Sequence, residues 1–219
     1  MNRVQYNQVC QRLAELQCAA EEACCTNPAG KYPSVDACIS NQAAVCESKF
    51  NVSVIGADPV AGYSVDNAEA AFNYFESLVT SCDTNVVSWG TSTEGFLKMM
   101  AGTKGANSLC MPTDSHDYGA AFACRVTDGL TCVPGIPGTM GLPPTGWTCK
   151  PRSAVGGHCY SDLNCQDGLR CLAPETYSTC AARKADGSSC SQALECQSLF
   201  CEDNVCVAPT VEHAYCLGG

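Results

Sequence analysis

The sequence predicts a disulfide-rich fold: a small α-helical N-terminal bundle followed by cystine-stapled, loop-rich repeats with short β-hairpins. Three observations predict it. Cysteine accounts for 20 of the 219 residues, the density of a disulfide scaffold. Apolar residues recur at helical spacing in the first half of the chain. The second half repeats one cysteine spacing, seen most clearly in "GGHCYSDLNCQDGLRC" at residues 156–171.

The helices come first. "YNQVCQRLAELQCAAEEACC" places Tyr6, Val9, Cys10, Leu13, Leu16, Ala20 and Cys24 mostly three or four apart, one stripe of a helix. After the turn "TNPAGKYP", Ser34 is the expected cap of a second helix with the stripe Val35, Cys38, Ile39, Cys46 and Phe50. A third is expected from "DNAE", where Asp66 and Glu69 have the spacing of a capping box. Its inner face is Ala68, Ala71, Phe72, Phe75, Leu78, Val79 and Cys82. Three helices with short connections make a small bundle. Cysteine lies on each apolar stripe, which places disulfides between packed helices.

Helices one and two form an expected antiparallel hairpin. Cys10 and Cys18 are eight residues apart, as are Cys38 and Cys46. The nested pairing Cys10 with Cys46 and Cys18 with Cys38 suits that hairpin. Adjacent Cys24 and Cys25 compete for the same partners, so other connectivities stay open. Around "TSTEGFLKMMAGTKGANSLC" glycine and serine rise and helical periodicity disappears. This places a domain boundary near Gly105, with a helical domain at 1–105 and a cysteine-rich region at 106–219.

That region contains three copies of a four-cysteine set: about 110–149, 159–180 and 190–206. The later two open with C-x5-C behind "GGHC" and "GSSC". "DGLTC" and "DGLRC" align Asp128, Gly129 and Leu130 with Asp167, Gly168 and Leu169. An Asp-Gly pair just before a cysteine signals a turn in which glycine supplies a positive φ. Each copy has too few large apolar residues for a core, and cystines substitute for the missing burial.

Zinc knuckles and thioredoxin-like centres need C-x2-C, which occurs nowhere, and His116, His158 and His213 stand far apart. Disulfides at this density belong to an oxidising compartment. "NRVQYNQVC" after Met1 has no apolar h-region, so the expectation is a secreted or cell-surface protein whose signal peptide has been removed, Met1 being an added start. No run of eighteen apolar residues marks a membrane span. Net charge is −10, and each half carries 11 acids and 6 bases. Such a surface does not fit nucleic acid or anionic lipid and serves solubility.

The pattern G-x-x-C-x5-C-x4-5-C-x4-8-C resembles the cysteine-rich repeats related to the Dickkopf N-terminal and colipase-type fold. Strings of these repeats behind a cysteine-bearing helical segment occur in secreted proteins of the myxobacterial type, mostly without assigned function. The resemblance is clearest over 156–206 and extends back toward residue 102 in "GTKGANSLC". It implies pairing of first with third and second with fourth cysteine: Cys159 with Cys171, Cys165 with Cys180, Cys190 with Cys201 and Cys196 with Cys206. The first copy departs from the pattern by long insertions, which leaves its pairing open. Cys82 and Cys216 then remain, one from each half, as a candidate bridge between them.

No catalytic motif is present: G-x-S-x-G, the P-loop, H-E-x-x-H and G-x-G-x-x-G are all missing. "TDSHDY", with Asp114, His116, Asp117 and Tyr118, reads as a solvated loop, with a weak metal or acid–base site as the alternative. "NVS" at Asn51 matches a glycosylation acceptor. "VPGIPGTMGLPPTGW", residues 133–147, carries Val133, Ile136, Met140, Leu142 and Trp147 between two cysteines. It reads either as a binding loop with an aromatic anchor or as a cover over its own cystines. The expected function is therefore extracellular or cell-surface binding or assembly without catalysis, metal or cofactor. The partner would be a protein, a surface glycan or a second copy. A small extracellular enzyme or enzyme inhibitor, and a metal-binding protein, are the alternatives.

Overall fold

Serine begins two of the helices. Ser34 Oγ accepts from the Ala37 amide at 3.2 Å, and Ser64 Oγ accepts from the Asn67 amide at the same distance, each satisfying an amide that the first turn leaves open. The computed structural model describes residues 3–25, 32–50, 55, 57–86, 93–110, 122–134, 146–172 and 178–216. Helices α1 (Val9–Cys24), α2 (Val35–Phe50) and α3 (Val65–Thr80) lie where the apolar stripes place them. Two sequence expectations need correction. The third helix is capped by Ser64 and not Asp66, which stands in its first turn. Helical structure also continues beyond the third stripe, in α4 (Thr93–Met99). Leu97 and Met99 are buried there, but seven residues are too few to display a period.

The first compact unit comprises Met1–Ala57, Ser64–Met99 and Ala208–Gly219. Helix α1 packs against α2, α3 and the π-helical turn Glu212–Cys216, and α4 packs on α3. The buried face of α3 is Ala68, Ala71, Phe72, Phe75, Leu78 and Val79. Cys10–Cys46 and Cys18–Cys38 form the nested pair across the hairpin of α1 and α2. Cys82 and Cys216 are not joined to each other. Cys24 takes Cys82 and Cys25 takes Cys216, because the segment after residue 207 returns to α1.

The second unit comprises Asp58–Tyr63 and Met100–Val207. In sequence the two units meet at Met99–Met100. Residues 58–63 belong to it because the Ala101 and Gly102 amides donate to the Gly62 and Ala61 carbonyls at 2.8 and 3.2 Å. Gly102 has φ +62, and a Cβ there would stand 1.9 Å from the Cys124 carbonyl oxygen. Only glycine fits this approach.

Among the described residues, three antiparallel two-stranded ribbons follow: β1 (Leu130–Pro134) with β2 (Trp147–Pro151), β3 (Leu169–Leu172) with β4 (Thr179–Ala182), and β5 (Cys201–Glu202) with β6 (Val205–Cys206). Each sets its third and fourth cysteines opposite one another: Cys132 and Cys149, Cys171 and Cys180, Cys201 and Cys206. Opposed cysteines are not bonded together; each reaches a cysteine of the preceding loop. The bridges are Cys110–Cys132 and Cys124–Cys149, then Cys159–Cys171 and Cys165–Cys180, then Cys190–Cys201 and Cys196–Cys206. Asp203 and Asn204, with φ 49 and 62, make the last ribbon turn, as a two-residue hairpin of this hand requires. Gly129 and Gly168 have φ +67 and +78 at the Asp-Gly turns.

Candidate functional site

Each of these four-cysteine frames closes its entry loop with the same hydrogen bonds. The amides of Asn107, Gly156 and Gly187, all at positive φ, donate to the carbonyls of the fourth cysteines Cys149, Cys180 and Cys206 at 2.8, 2.7 and 2.7 Å. Those cysteines donate back to Ser108, Gly157 and Ser188. A third contact varies in chemistry but not in place. Lys104 Nζ, Ser153 Oγ and Lys184 Nζ donate to the carbonyls of Leu109, His158 and Ser189. The buried core of each frame is largely cystine: Cys159, Cys165 and Cys180 in the second, and Cys190, Cys196 and Cys206 in the third.

The frames are joined by side chains that the cysteine pattern does not reveal. Arg152 and Arg183 stand three residues beyond the fourth cysteines Cys149 and Cys180. Each guanidinium donates to a carbonyl in the next frame's 3-10 turn, Arg152 to Leu163 at 3.2 Å and Arg183 to Leu194 at 2.6 Å. Arg152 also pairs with Asp167 at 2.5 Å and Arg183 with Asp162 at 3.2 Å. The signal in the sequence was an arginine at one fixed offset from the fourth cysteine. After the third frame that position is Pro209.

A second contact couples the residue before each third cysteine to the residue before the next frame's second cysteine. Buried Asn164 donates to Thr131 Oγ1 at 3.3 Å and to the Cys132 carbonyl at 2.9 Å. Its Oδ1 accepts from the Tyr160 and Ser161 amides. One frame later Glu195 faces Arg170 at 3.7 Å and accepts from Lys184 Nζ and Ser191 Oγ. The Lys184 and Ser191 hydrogen bonds draw the Glu195 carboxyl down to about 2.

Of the candidate loop, Trp147 lies among the described residues, half-buried, packed against the cluster of Cys110, Cys124, Cys132 and Cys149. Its ring meets Tyr160 edge to face, with centroids 5.2 Å apart. Tyr160 is 67 % exposed and Leu109, which pairs across to Thr148 in β2, is 62 % exposed. Val133 is buried. Ile136, Met140, Leu142, Asp114, His116, Asp117, Tyr118 and Asn51 lie outside the described residues.

Among the described residues, the sets with metal-ligand proximity are Cys110, Cys124 and Cys132; Cys159, Cys165 and Cys180; and Cys190, Cys196 and Cys206. Every sulfur in them is already in a disulfide, so none is a thiolate ligand. All twenty cysteines are paired. No described helix is long and apolar enough to cross a membrane. Compared with known proteins, the chain matches no family model, no curated protein and no solved structure.

Proposed function

We propose that this chain is a secreted, non-enzymatic binding protein whose three cystine frames are copies of one repeat. In this reading the copies are of the Dickkopf N-terminal and colipase-like kind, and the frames present a surface to a protein or glycan outside the cell. The carrying observation is the edge-to-face pair of half-buried Trp147 and exposed Tyr160. A half-buried aromatic ring, held by cystines, supports an exposed one, so little conformational freedom is lost when a partner arrives. Secretion is supported by the ten disulfides, which need an oxidising compartment.

The test is saturable binding of the purified protein to a glycan panel and to the outer surface of the source cells. A Tyr160→Ser variant is expected to melt with the unaltered protein and bind at least about tenfold more weakly, the scale of losing an aromatic anchor. Equal binding by the variant would reject the surface. Turnover of a substrate from a hydrolase panel, abolished by His116→Ala, would replace binding with catalysis.

A further inference from the structure

Burial singles out one disulfide from the rest. All twenty cysteines lie among the described residues. Cys46, Cys171 and Cys201 are half-buried, but their partners Cys10, Cys159 and Cys190 are buried, at 2, 8 and 6 % exposed. Cys24–Cys82 is the one bridge of which neither cysteine is buried.

Thiol–disulfide exchange favours that bridge at both of its ends. The attacking thiolate needs access to a sulfur, and the expelled thiolate leaves faster when its own pKa is low. Burial in apolar surroundings raises a thiol's pKa. Attack at Cys171 or Cys201 expels Cys159 or Cys190 into a cystine core. Attack at Cys46 expels Cys10, which lies on the buried face of α1. Each of these is a poor leaving group held beside the mixed disulfide, ready to close again. Attack on Cys24–Cys82 meets no such obstacle at either sulfur.

The bridge also holds a turn on which another segment rests. Cys24 is the last residue of α1, and Cys82 follows the end of α3. Helix α3 closes with a Schellman turn, in which the Cys82 amide donates to Val79 and the Asp83 amide to Leu78. Cys82 occupies the left-handed position with φ 51, at a cost that glycine, the usual residue there, does not bear. Tyr215 Oη lies 2.8 Å from the Asp83 carbonyl oxygen and 3.2 Å from that of Leu78. The π-helical turn Glu212–Cys216 is thus seated on the turn that the bridge holds. Cys24 Sγ lies 3.6 Å from the Val79 carbonyl oxygen, an acceptor already in place for a thiol.

We infer that Cys24–Cys82 is a redox modification site, opened by a dithiol reductant while the other bridges stay closed, and that opening it loosens the seat of Tyr215. The reductant's thiolate attacks Cys82 Sγ, forms a mixed disulfide there and expels the Cys24 thiolate, which takes up a proton. The reductant's second thiolate attacks its own sulfur in the mixed disulfide and expels the Cys82 thiolate, which is protonated in turn. Two electrons and two protons have passed to the bridge, and the reductant is left as its own disulfide. Thiols stand at Cys24 and Cys82, and the end of α3 has lost its covalent tie to α1. Cys25–Cys216 remains, so the C-terminal segment stays attached and only its order changes. A disulfide of the same class of oxidoreductase closes the bridge by the reverse steps.

Native protein treated with one equivalent of dithiothreitol, quenched with N-ethylmaleimide and mapped as unreduced peptides gives a direct test. The expected result is equal label on Cys24 and Cys82, at least about tenfold above that on any other cysteine. Label spread evenly over the bridges, or greatest on any other pair, overturns the site. Hydrogen exchange of the singly reduced protein then reads the seat. Amides of residues 78–86 and 210–216 should exchange at least about tenfold faster than in the oxidised protein, with those of 156–206 unchanged. Unaltered exchange at 78–86 and 210–216 overturns the switch. A Cys24→Ser, Cys82→Ser variant should show the fast exchange without reductant, and slow exchange in it would likewise overturn the switch. Should that variant fail to fold, the singly reduced protein decides alone.

Discussion

Arg170 and Glu195 face each other at 3.7 Å across the junction of the second and third frames, in the place where Thr131 meets Asn164 at the junction before. One position in the fold thus carries an ion pair at one junction and a neutral hydrogen bond at the other. Acid acts on Glu195 through two other contacts. With Lys184 and Ser191 bonded to it, Glu195 has its folded carboxyl lowered from 4.5 to about 2. A lowered carboxyl stabilises the fold fully above about pH 4.5, and that contribution is lost as pH falls toward 2. The melting temperature should drop across this interval in the unaltered protein and drop less in Glu195→Gln. Parallel profiles would show that Lys184 and Ser191 do not hold Glu195 in its charged form.

Asn164 tests the other junction. It is buried and uses both ends of its amide, accepting from two backbone amides and donating to Thr131 and the Cys132 carbonyl. Asn164→Ala leaves several buried groups without partners, a loss of about 2–3 kcal/mol. Asn164→Asp keeps the acceptor but loses the donor and sets a charge against a carbonyl. It should destabilise comparably in denaturant unfolding with the disulfides intact. A change below about 0.5 kcal/mol for both, the size of an ordinary surface substitution, would contradict this role.

The two kinds of glycine separate in the same assay. Gly129 has positive φ and open space around its Cα, so Gly129→Ala should cost only the left-handed penalty of about 1–2 kcal/mol. Gly102→Ala meets the Cys124 carbonyl as well and should cost about 3 kcal/mol or more, or prevent folding. Equal losses would mean that Gly102 and Cys124 are not held as close as the hydrogen bonds of Thr103 and Lys104 to the Ala123 carbonyl imply.

Trp147→Ser probes which role that side chain has. Its ring lies on the first frame's cystines, so the expected loss is about 2–4 kcal/mol in stability. Tyr160→Ser, in contrast, should change stability by less than about 1 kcal/mol. A thermally neutral Trp147→Ser would return the ring to a purely recognition role.

Local spacing made much of this fold legible. The stripe of α3 named its buried residues, and the eight-residue intervals of Cys10, Cys18, Cys38 and Cys46 gave the nested bridges. These depend on contacts within one element or one hairpin. What stayed hidden depends on distant segments meeting. The partners of Cys24 and Cys25 follow from a C-terminal return that no periodicity announces. Residues 58–63 join the second unit through backbone bonds, which leave little mark on side-chain choice. Arg152 and Arg183 were visible as residues, but their role requires knowing that the carbonyls of Leu163 and Leu194 stand within reach. Of the candidate surface, Trp147 was named from the sequence, whereas Tyr160 was not, because exposure cannot be read from spacing.

The central claim is that cystines arranged first with third and second with fourth form the cores of the three frames. Alkylation of the native protein without reductant, followed by peptide mapping of the bridges, tests it most directly. The account predicts no labelled thiol, with Cys110–Cys132, Cys124–Cys149, Cys159–Cys171, Cys165–Cys180, Cys190–Cys201 and Cys196–Cys206 recovered as linked peptides. Labelled cysteines within the frames, or bridges between the opposed cysteines Cys132 and Cys149, Cys171 and Cys180, or Cys201 and Cys206, would contradict it.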